Sequence, residues 1–145
     1  MKLTHTAAAL ALAFATTGAL AQNEVLDNAA KEPGAVKTDS GLVYKVVKEG
    51  TGRNPTATDT VRVHYKGTFP DGKEFDSSYK RGMPTEFPLN RVIPCWTEGV
   101  QKIKPGGTVK LACPPNIAYG ARGAGNVIPP NATLLFEVEL LGIAN

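Results

Sequence analysis

The stretch VHYKGTFPDGKEFDSS, residues 63–78, carries the clearest structural signal in the chain. Before its turn, apolar and polar side chains alternate with a period of two, which is typical of a β-strand with one buried face. Pro70, Asp71 and Gly72 predict a tight turn, because proline presets φ and glycine tolerates positive φ. The turn leads into a second strand at Lys73–Asp76, so the stretch predicts a β-hairpin.

The same alternation recurs on both sides of this hairpin, at Leu42–Val47, Val109–Cys113 and Leu134–Leu140. Between two of these segments, Trp96 begins an apolar series that continues at Val100 and Ile103 and has helical spacing.

A first-turn proline, Pro94, precedes the helical segment, and Lys104–Gly107 contains the proline and glycines that end it. Several antiparallel strands and one amphipathic helix predict an α+β fold, with a sheet wrapped around the helix.

Length and composition fit one compact soluble domain. The chain has 145 residues, of which 42% are hydrophobic and 20% charged. The net charge of +3 is small, and the basic residues are scattered, so we expect no nucleic-acid partner.

The first residues have the pattern of a secretory signal peptide. Lys2 precedes the apolar run Ala7–Ala15, and Ala19-Leu20-Ala21 has the small-x-small spacing of a cleavage site before Gln22. We therefore expect residues 1–21 to be a signal peptide and the protein to be exported, to the periplasm or beyond. The apolar run is too short to span a membrane. No cysteine follows the cleavage site, so we expect no lipid anchor there.

We expect residues 22–38 to form a flexible arm and residues 39–145 to form the domain.

No familiar catalytic set is present. His5 lies in the signal peptide and His64 on the outward face of its strand, so neither a catalytic triad nor a metal site is predicted. The glycines of residues 120–125 follow no phosphate-binding pattern. The remaining candidates are aromatic: Tyr65, Phe75, Trp96, Tyr119 and Phe136. From periodicity alone these form either an ordinary core or a pocket. Trp96 at the helix entrance and the apolar Val127–Pro130 beside the glycines favour a pocket.

Several ungapped blocks resemble the FKBP family of macrolide-binding peptidyl-prolyl cis–trans isomerases. They are VHYKG at 63–67, DGKEFDSS at 71–78, VIP at 92–94, WTEGV at 96–100, AYG at 118–120, VIPPNATL at 127–134 and FEVELL at 136–141. The similarity runs in order over roughly residues 39–143. It implies an antiparallel half-barrel of five or six strands wrapped around one short helix.

The resemblance also implies residue roles in a pocket between helix and sheet. Trp96 is implied as the floor, and Asp76 and Tyr119 as polar groups at the rim. Arg81 matches a basic residue that supports the rim. The walls and the neighbouring substrate-binding positions are implied to be Tyr65, Phe75, Phe87, Val92, Ile93, Val127, Ile128 and Phe136.

The activity implied is isomerisation of X–Pro bonds in unfolded or partly folded proteins, without a cofactor. Two alternatives remain open: a chaperone module that binds proline segments with little turnover, and a structural role. The resemblance further implies binding of macrolide inhibitors. Thr85 stands where relatives often carry a pocket aromatic, which predicts lower macrolide affinity, and Ala124 replaces larger loop residues, which predicts an altered substrate preference.

Cys95 and Cys113 are the only two cysteines in the chain. In the resembled fold these positions lie close together, and an exported protein meets oxidising conditions, so we expect a disulfide between them. The alternative is two independent buried thiols. No apolar stripe with heptad spacing lies outside the domain, so we also expect a monomer.

Overall fold

The computed structural model describes residues 24–144, which form one antiparallel sheet with three short α-helices. Helix α1 covers residues 24–31, α2 is Ser78–Arg81 and α3 is Pro94–Gly99. The strands are β1 (Ala35–Lys37), β2 (Val43–Lys48), β3 (Thr60–Thr68), β4 (Glu74–Ser77), β5 (Thr85–Pro88), β6 (Thr108–Cys113) and β7 (Leu134–Ile143). None of the helices within residues 24–144 is long and apolar enough to cross a membrane.

Strand β3 organises the sheet, whose order is β1-β2-β6-β7-β3-β4. One edge of β3 pairs with β7, and its other edge pairs with β5 over its first half and with β4 over its second. The sheet remains open rather than closing into a barrel. The α+β class and the antiparallel sheet around a short helix are confirmed, with seven strands instead of five or six. Three-residue β1 is too short for its alternation to be recognised in the sequence.

The segment before the domain contains two short elements. Helix α1 and strand β1 both lie within residues 22–38, for which we expect a flexible arm. Strand β1 pairs with β2, and Glu32 forms an ion pair with Lys45 at 3.6 Å. Strand β1 thus forms through backbone hydrogen bonds to the free edge of β2, although its polar composition does not indicate a strand. The predicted signal peptide, residues 1–21, lies outside the described residues.

The predicted hairpin forms as the turn residues require. Gly72 has a φ of 91°, and its N–H donates to the carbonyl of Phe69 at 2.8 Å. The Phe69 N–H donates to the carbonyl of Lys73 at 2.9 Å, which closes the turn. The carboxylate of Asp71 accepts from the Lys73 N–H at 2.9 Å. Gly72 therefore has the positive φ that predicted the turn, and Asp71 adds a side-chain hydrogen bond to it.

Helix α3 packs against the inner face of the sheet. Its apolar face and the 3-10 turn that follows bury Trp96, Val100 and Ile103, which are at most 4% exposed. Gly99 lets the helix approach β6 closely, because a Cβ at this position would collide with the side chain of Leu111. The predicted helical spacing thus corresponds to one buried face.

A disulfide joins the start of α3 to the end of β6. Cys95 and Cys113 are both fully buried, with their Cα atoms 5.9 Å apart. The bridge lies beside Trp96 in sequence and connects its helix covalently to the sheet. The predicted pairing is confirmed.

We expect the bridge to stabilise the fold by about 3 kcal/mol, because it closes a loop of moderate length in the unfolded chain. Titration of free thiols in the denatured, unreduced protein should find none. Reduction should lower the melting temperature by about 10 °C. The double variant Cys95→Ala/Cys113→Ala is the control, because reductant should not change its melting temperature. Two reactive thiols per unreduced chain would contradict the pairing.

Candidate active site

A concave pocket of about 430 Å³ opens between α3 and the inner face of the sheet. It is lined mainly by aromatic and aliphatic side chains: Tyr65, Phe75, Asp76, Phe87, Arg91, Val92, Ile93, Trp96, Tyr119 and Phe136. Mostly apolar pockets with a few polar groups are the usual form of small-molecule binding sites.

Trp96 forms the floor, and three aromatic rings stand nearly perpendicular to it. The centroids of Tyr65, Phe87 and Phe136 lie 5.1–5.5 Å from the indole, at interplanar angles of 83–89°. Edge-to-face pairs of this kind are each worth about 0.5–1.5 kcal/mol beyond the area that they bury. The indole Nε1 of Trp96 is buried and has no hydrogen-bond partner among the described residues. The floor is therefore an apolar surface of closely packed aromatic rings.

A glycine makes room for the wall. Gly67 continues the inward face of β3, but a Cβ there would lie 2.5 Å from the Phe75 ring and 3.0 Å from the Phe136 ring. These two rings pack edge to face at 5.6 Å over the position. The VHYKG block thus supplies one aromatic residue of the wall, Tyr65. It also supplies Gly67, and the rings of Phe75 and Phe136 occupy the space that a side chain there would need.

Asp76 lies at the rim in a closed network of hydrogen bonds. Its Oδ2 accepts from the Tyr65 hydroxyl at 2.5 Å, and its Oδ1 accepts from Arg81 at 2.6 Å and from the Ser77 N–H at 2.9 Å. Arg81 also donates to the Tyr65 hydroxyl at 3.0 Å and lies over the Tyr65 ring. Both carboxylate oxygens are therefore engaged within the protein.

This network keeps Asp76 ionised. Partial burial opposes its charge, but the hydrogen bonds from Tyr65 and Arg81 outweigh burial, and the pKa of Asp76 lies below 3.8. Partial burial and the hydrogen bond to Asp76 raise the pKa of Tyr65 above 10.0. Both groups therefore keep one protonation state around neutral pH.

Tyr119 offers a free hydrogen-bond donor in the pocket lining. The side chain is 39% exposed, and its hydroxyl has no hydrogen-bond partner within residues 24–144. Partial burial and the charge of Asp76 raise its pKa above 10.0, so the hydroxyl keeps its proton. It can donate to a carbonyl that enters the pocket.

The structure places most of the expected site residues in the pocket, with three exceptions. Arg81 lies behind Asp76 and does not line the pocket. Ile128 is 5% exposed and belongs to the core, because Ala124 and Ile128 pair through two backbone hydrogen bonds that turn it inward. Val127 is 56% exposed and lies outside the lining. Thr85 also lies outside it and accepts from Arg81 at 3.4 Å.

One lining residue escaped the sequence analysis. Arg91 ends a 3-10 turn, Leu89–Arg91, directly before the wall residues Val92 and Ile93. Its turn has no periodicity that indicates where the side chain points. The only available signal was its position beside the VIP block.

Neither histidine nor cysteine lines the pocket, and its one carboxylate, Asp76, already accepts three hydrogen bonds. His64 faces the opposite side of the sheet, where it stacks on Tyr79 at 4.6 Å and bonds to Ser78. Within the described residues, no group of three or more His, Cys, Asp or Glu side chains could hold a metal ion. A second concavity of about 270 Å³ lies on that outer face, among charged side chains such as Lys66, Lys110 and Glu137. The aromatic pocket is therefore the stronger candidate for chemistry.

Comparisons with known proteins identify the family and the fold. The family profile of FKBP-type peptidyl-prolyl cis-trans isomerases matches residues 51–141. The FKBP-type peptidyl-prolyl cis-trans isomerase FkpA of Escherichia coli K12 is 54% identical over 120 residues, which cover 83% of this chain and 44% of that protein. The FKBP-type 22 kDa peptidyl-prolyl cis-trans isomerase of the same organism is 51% identical over 118 residues, 81% of this chain and 57% of that one. The chain thus spans less than two thirds of these relatives.

Solved structures show the same fold. The crystal structure of FkpA from Escherichia coli superposes with a TM-score of 0.84 at 48% identity, covering 98% of this chain and 66% of that one. A peptidyl-prolyl cis-trans isomerase from Pseudomonas syringae has a TM-score of 0.80 at 37% identity, covering 90% and 96% of the two chains. The chain therefore belongs to the family of FKBP-type peptidyl-prolyl cis-trans isomerases.

Proposed function

We propose that this protein accelerates cis–trans isomerisation of X–Pro peptide bonds in exported protein clients and so assists their folding. The carrying observation is the aromatic pocket with Trp96 at its floor, three perpendicular rings around it, and Asp76 and Tyr119 at its rim. An assay of isomerisation in a short X–Pro peptide, with and without a macrolide inhibitor, tests the proposal directly. Turnover that the macrolide blocks supports it, and absence of turnover contradicts it.

The pocket suits this reaction because the reaction needs no bond-making group. Rotation about the peptide C–N bond costs about 18–20 kcal/mol, since amide resonance must be broken. The planar amide is more polar than the twisted one, so a dry aromatic wall destabilises the ground state more than the transition state. Each ~1.4 kcal/mol of this difference gives about tenfold in rate.

The rim supplies orientation. The unpartnered Tyr119 hydroxyl is available to donate to a substrate carbonyl, and the Asp76 network fixes the ring of Tyr65 in the wall. Neither group needs to transfer a proton. Partners are therefore unfolded or partly folded chains that present X–Pro bonds, and macrolides that mimic them.

Export remains part of the proposal. It rests on the signal pattern of residues 1–21 and on the disulfide, which forms readily in oxidising compartments. Cleavage is proposed near Ala21–Gln22, with the mature protein in the periplasm or secreted.

Replacing a wall ring should reduce catalysis. Phe75→Ala admits water beside the amide, and we expect kcat/KM to fall by at least about tenfold, the equivalent of ~1.4 kcal/mol. His64→Ala on the outer face is the control, with little expected change. Both variants are checked for folding by their melting temperatures. Equal loss of activity in the two variants would refute catalysis by desolvation.

Activity should be independent of pH between about 5 and 9. Over this range Asp76, with a lowered pKa, stays ionised, and Tyr65 and Tyr119, with raised pKa values, stay protonated. Because the folded pKa of Asp76 is depressed, its contribution to stability is present above pH 3.8 and is lost as the pH falls through the folded value. A bell-shaped profile of kcat/KM in this window would instead indicate proton transfer.

We expect the mature protein to be a monomer, as the lack of heptad spacing outside the domain predicts. Sedimentation velocity at low micromolar concentration should give one species with the mass of a single chain. A stable dimer would contradict this expectation.

A further inference from the structure

The 3-10 turn that carries Arg91 to the pocket mouth is anchored to the rest of the domain. Leu89, at the start of the turn, is fully buried, and its N–H donates to the Asp59 carbonyl at 2.9 Å. The Thr97 hydroxyl donates to the Leu89 carbonyl at 2.6 Å, which ties the turn to α3. The backbone that carries Arg91 is therefore fixed, while its side chain is exposed and lines the pocket.

Arg91 also differs from the other arginine of the site. Arg81 is held by Asp76 at 2.6 Å and by Tyr65 at 3.0 Å. Within residues 24–144, Arg91 forms no ion pair and no hydrogen bond through its side chain. Its guanidinium thus keeps five donors available for a ligand.

The surrounding charges leave Arg91 uncompensated. Asp76 is the other charged residue in the lining, and its negative charge is paired with the positive charge of Arg81. Glu86 on β5 alternates away from the wall residue Phe87 and lies opposite Arg62 in the strand pairing. Glu98 on α3 accepts from Ser40 at 2.6 Å. The mouth of the pocket therefore carries one unpaired positive charge.

We propose that Arg91 determines specificity by favouring X–Pro segments with an acidic residue directly before or after the proline. This inference rests on the proposed isomerase function and adds a preference among its substrates. An exposed guanidinium–carboxylate pair is a modest interaction that salt weakens. The preference is correspondingly about two- to fivefold.

The test uses matched peptides that differ only in one charge. One pair has Glu or Gln directly before proline, and a second pair has Glu or Gln directly after it. The ratio of kcat/KM for Glu over Gln should be about two to five in the wild type in at least one pair. It should fall to about one in Arg91→Gln and below one in Arg91→Glu. Salt at about 0.5 M should also bring the wild-type ratio close to one.

Arg62→Gln is the control, because it removes the same charge from the outer face of the sheet. Its ratios should equal those of the wild type. Unchanged ratios in Arg91→Gln for both pairs would overturn the inference, as would an equal effect of Arg62→Gln.

A second readout separates this inference from the proposed function. Trp96 is the only tryptophan, so peptide binding can be followed by its fluorescence. If no peptide is turned over, the isomerase proposal fails, but Kd ratios for the same pairs still decide the role of Arg91. A Glu preference in Kd that disappears in Arg91→Gln supports it, and equal Kd values for Glu and Gln peptides overturn it.

Discussion

The close approach of α3 to the sheet is the constraint on which the rest of the structure depends. Trp96 can meet the rings of Tyr65, Phe87 and Phe136 edge to face only if its helix lies close to the inner face of the sheet. Gly99 permits this close approach because it has no side chain to collide with Leu111. The Cys95–Cys113 disulfide links the helix covalently to the sheet. Without this approach the aromatic residues would form a looser core that water could enter. The pocket is therefore a consequence of helix–sheet packing.

In an apolar pocket, a charged group also needs hydrogen bonds or an ion pair within the protein before a substrate binds. An ionised carboxylate near an apolar wall is costly unless it is hydrogen-bonded and paired. Tyr65, Arg81 and the Ser77 N–H meet that requirement for Asp76, so the carboxylate does not need a substrate donor to be stable. The Tyr119 hydroxyl has no hydrogen-bond partner within residues 24–144, so it can donate to the carbonyl of a ligand. The rim thus combines occupied polar groups with one free donor, as the proposed orientation of a substrate carbonyl requires.

Local periodicity explains which parts of this fold could be predicted. The β3–β4 hairpin, the buried face of α3 and the inward aromatics each depend on short-range spacing, and their residues recur in the structure as expected. The residue roles came from the resemblance, and most of those positions line the pocket. Strand β1 could not be predicted, because its pairing depends on an edge of β2 that only the folded sheet presents. Val127 and Ile128 lie outside the pocket lining, and the bridge between Ala124 and Ile128 is a long-range feature that the sequence pattern does not predict.

The floor and the rim are built by different means, and this difference decides which positions can vary. Floor residues are fixed by mutual contacts, so changing one ring leaves a cavity or exposes its neighbours. The turn that carries Arg91 is anchored by buried Leu89, while the Arg91 side chain is exposed. A substitution at position 91 therefore changes the charge at the mouth while the elements that hold Trp96 keep their positions. Sequence preference can change at this rim without altering the chemistry of the floor.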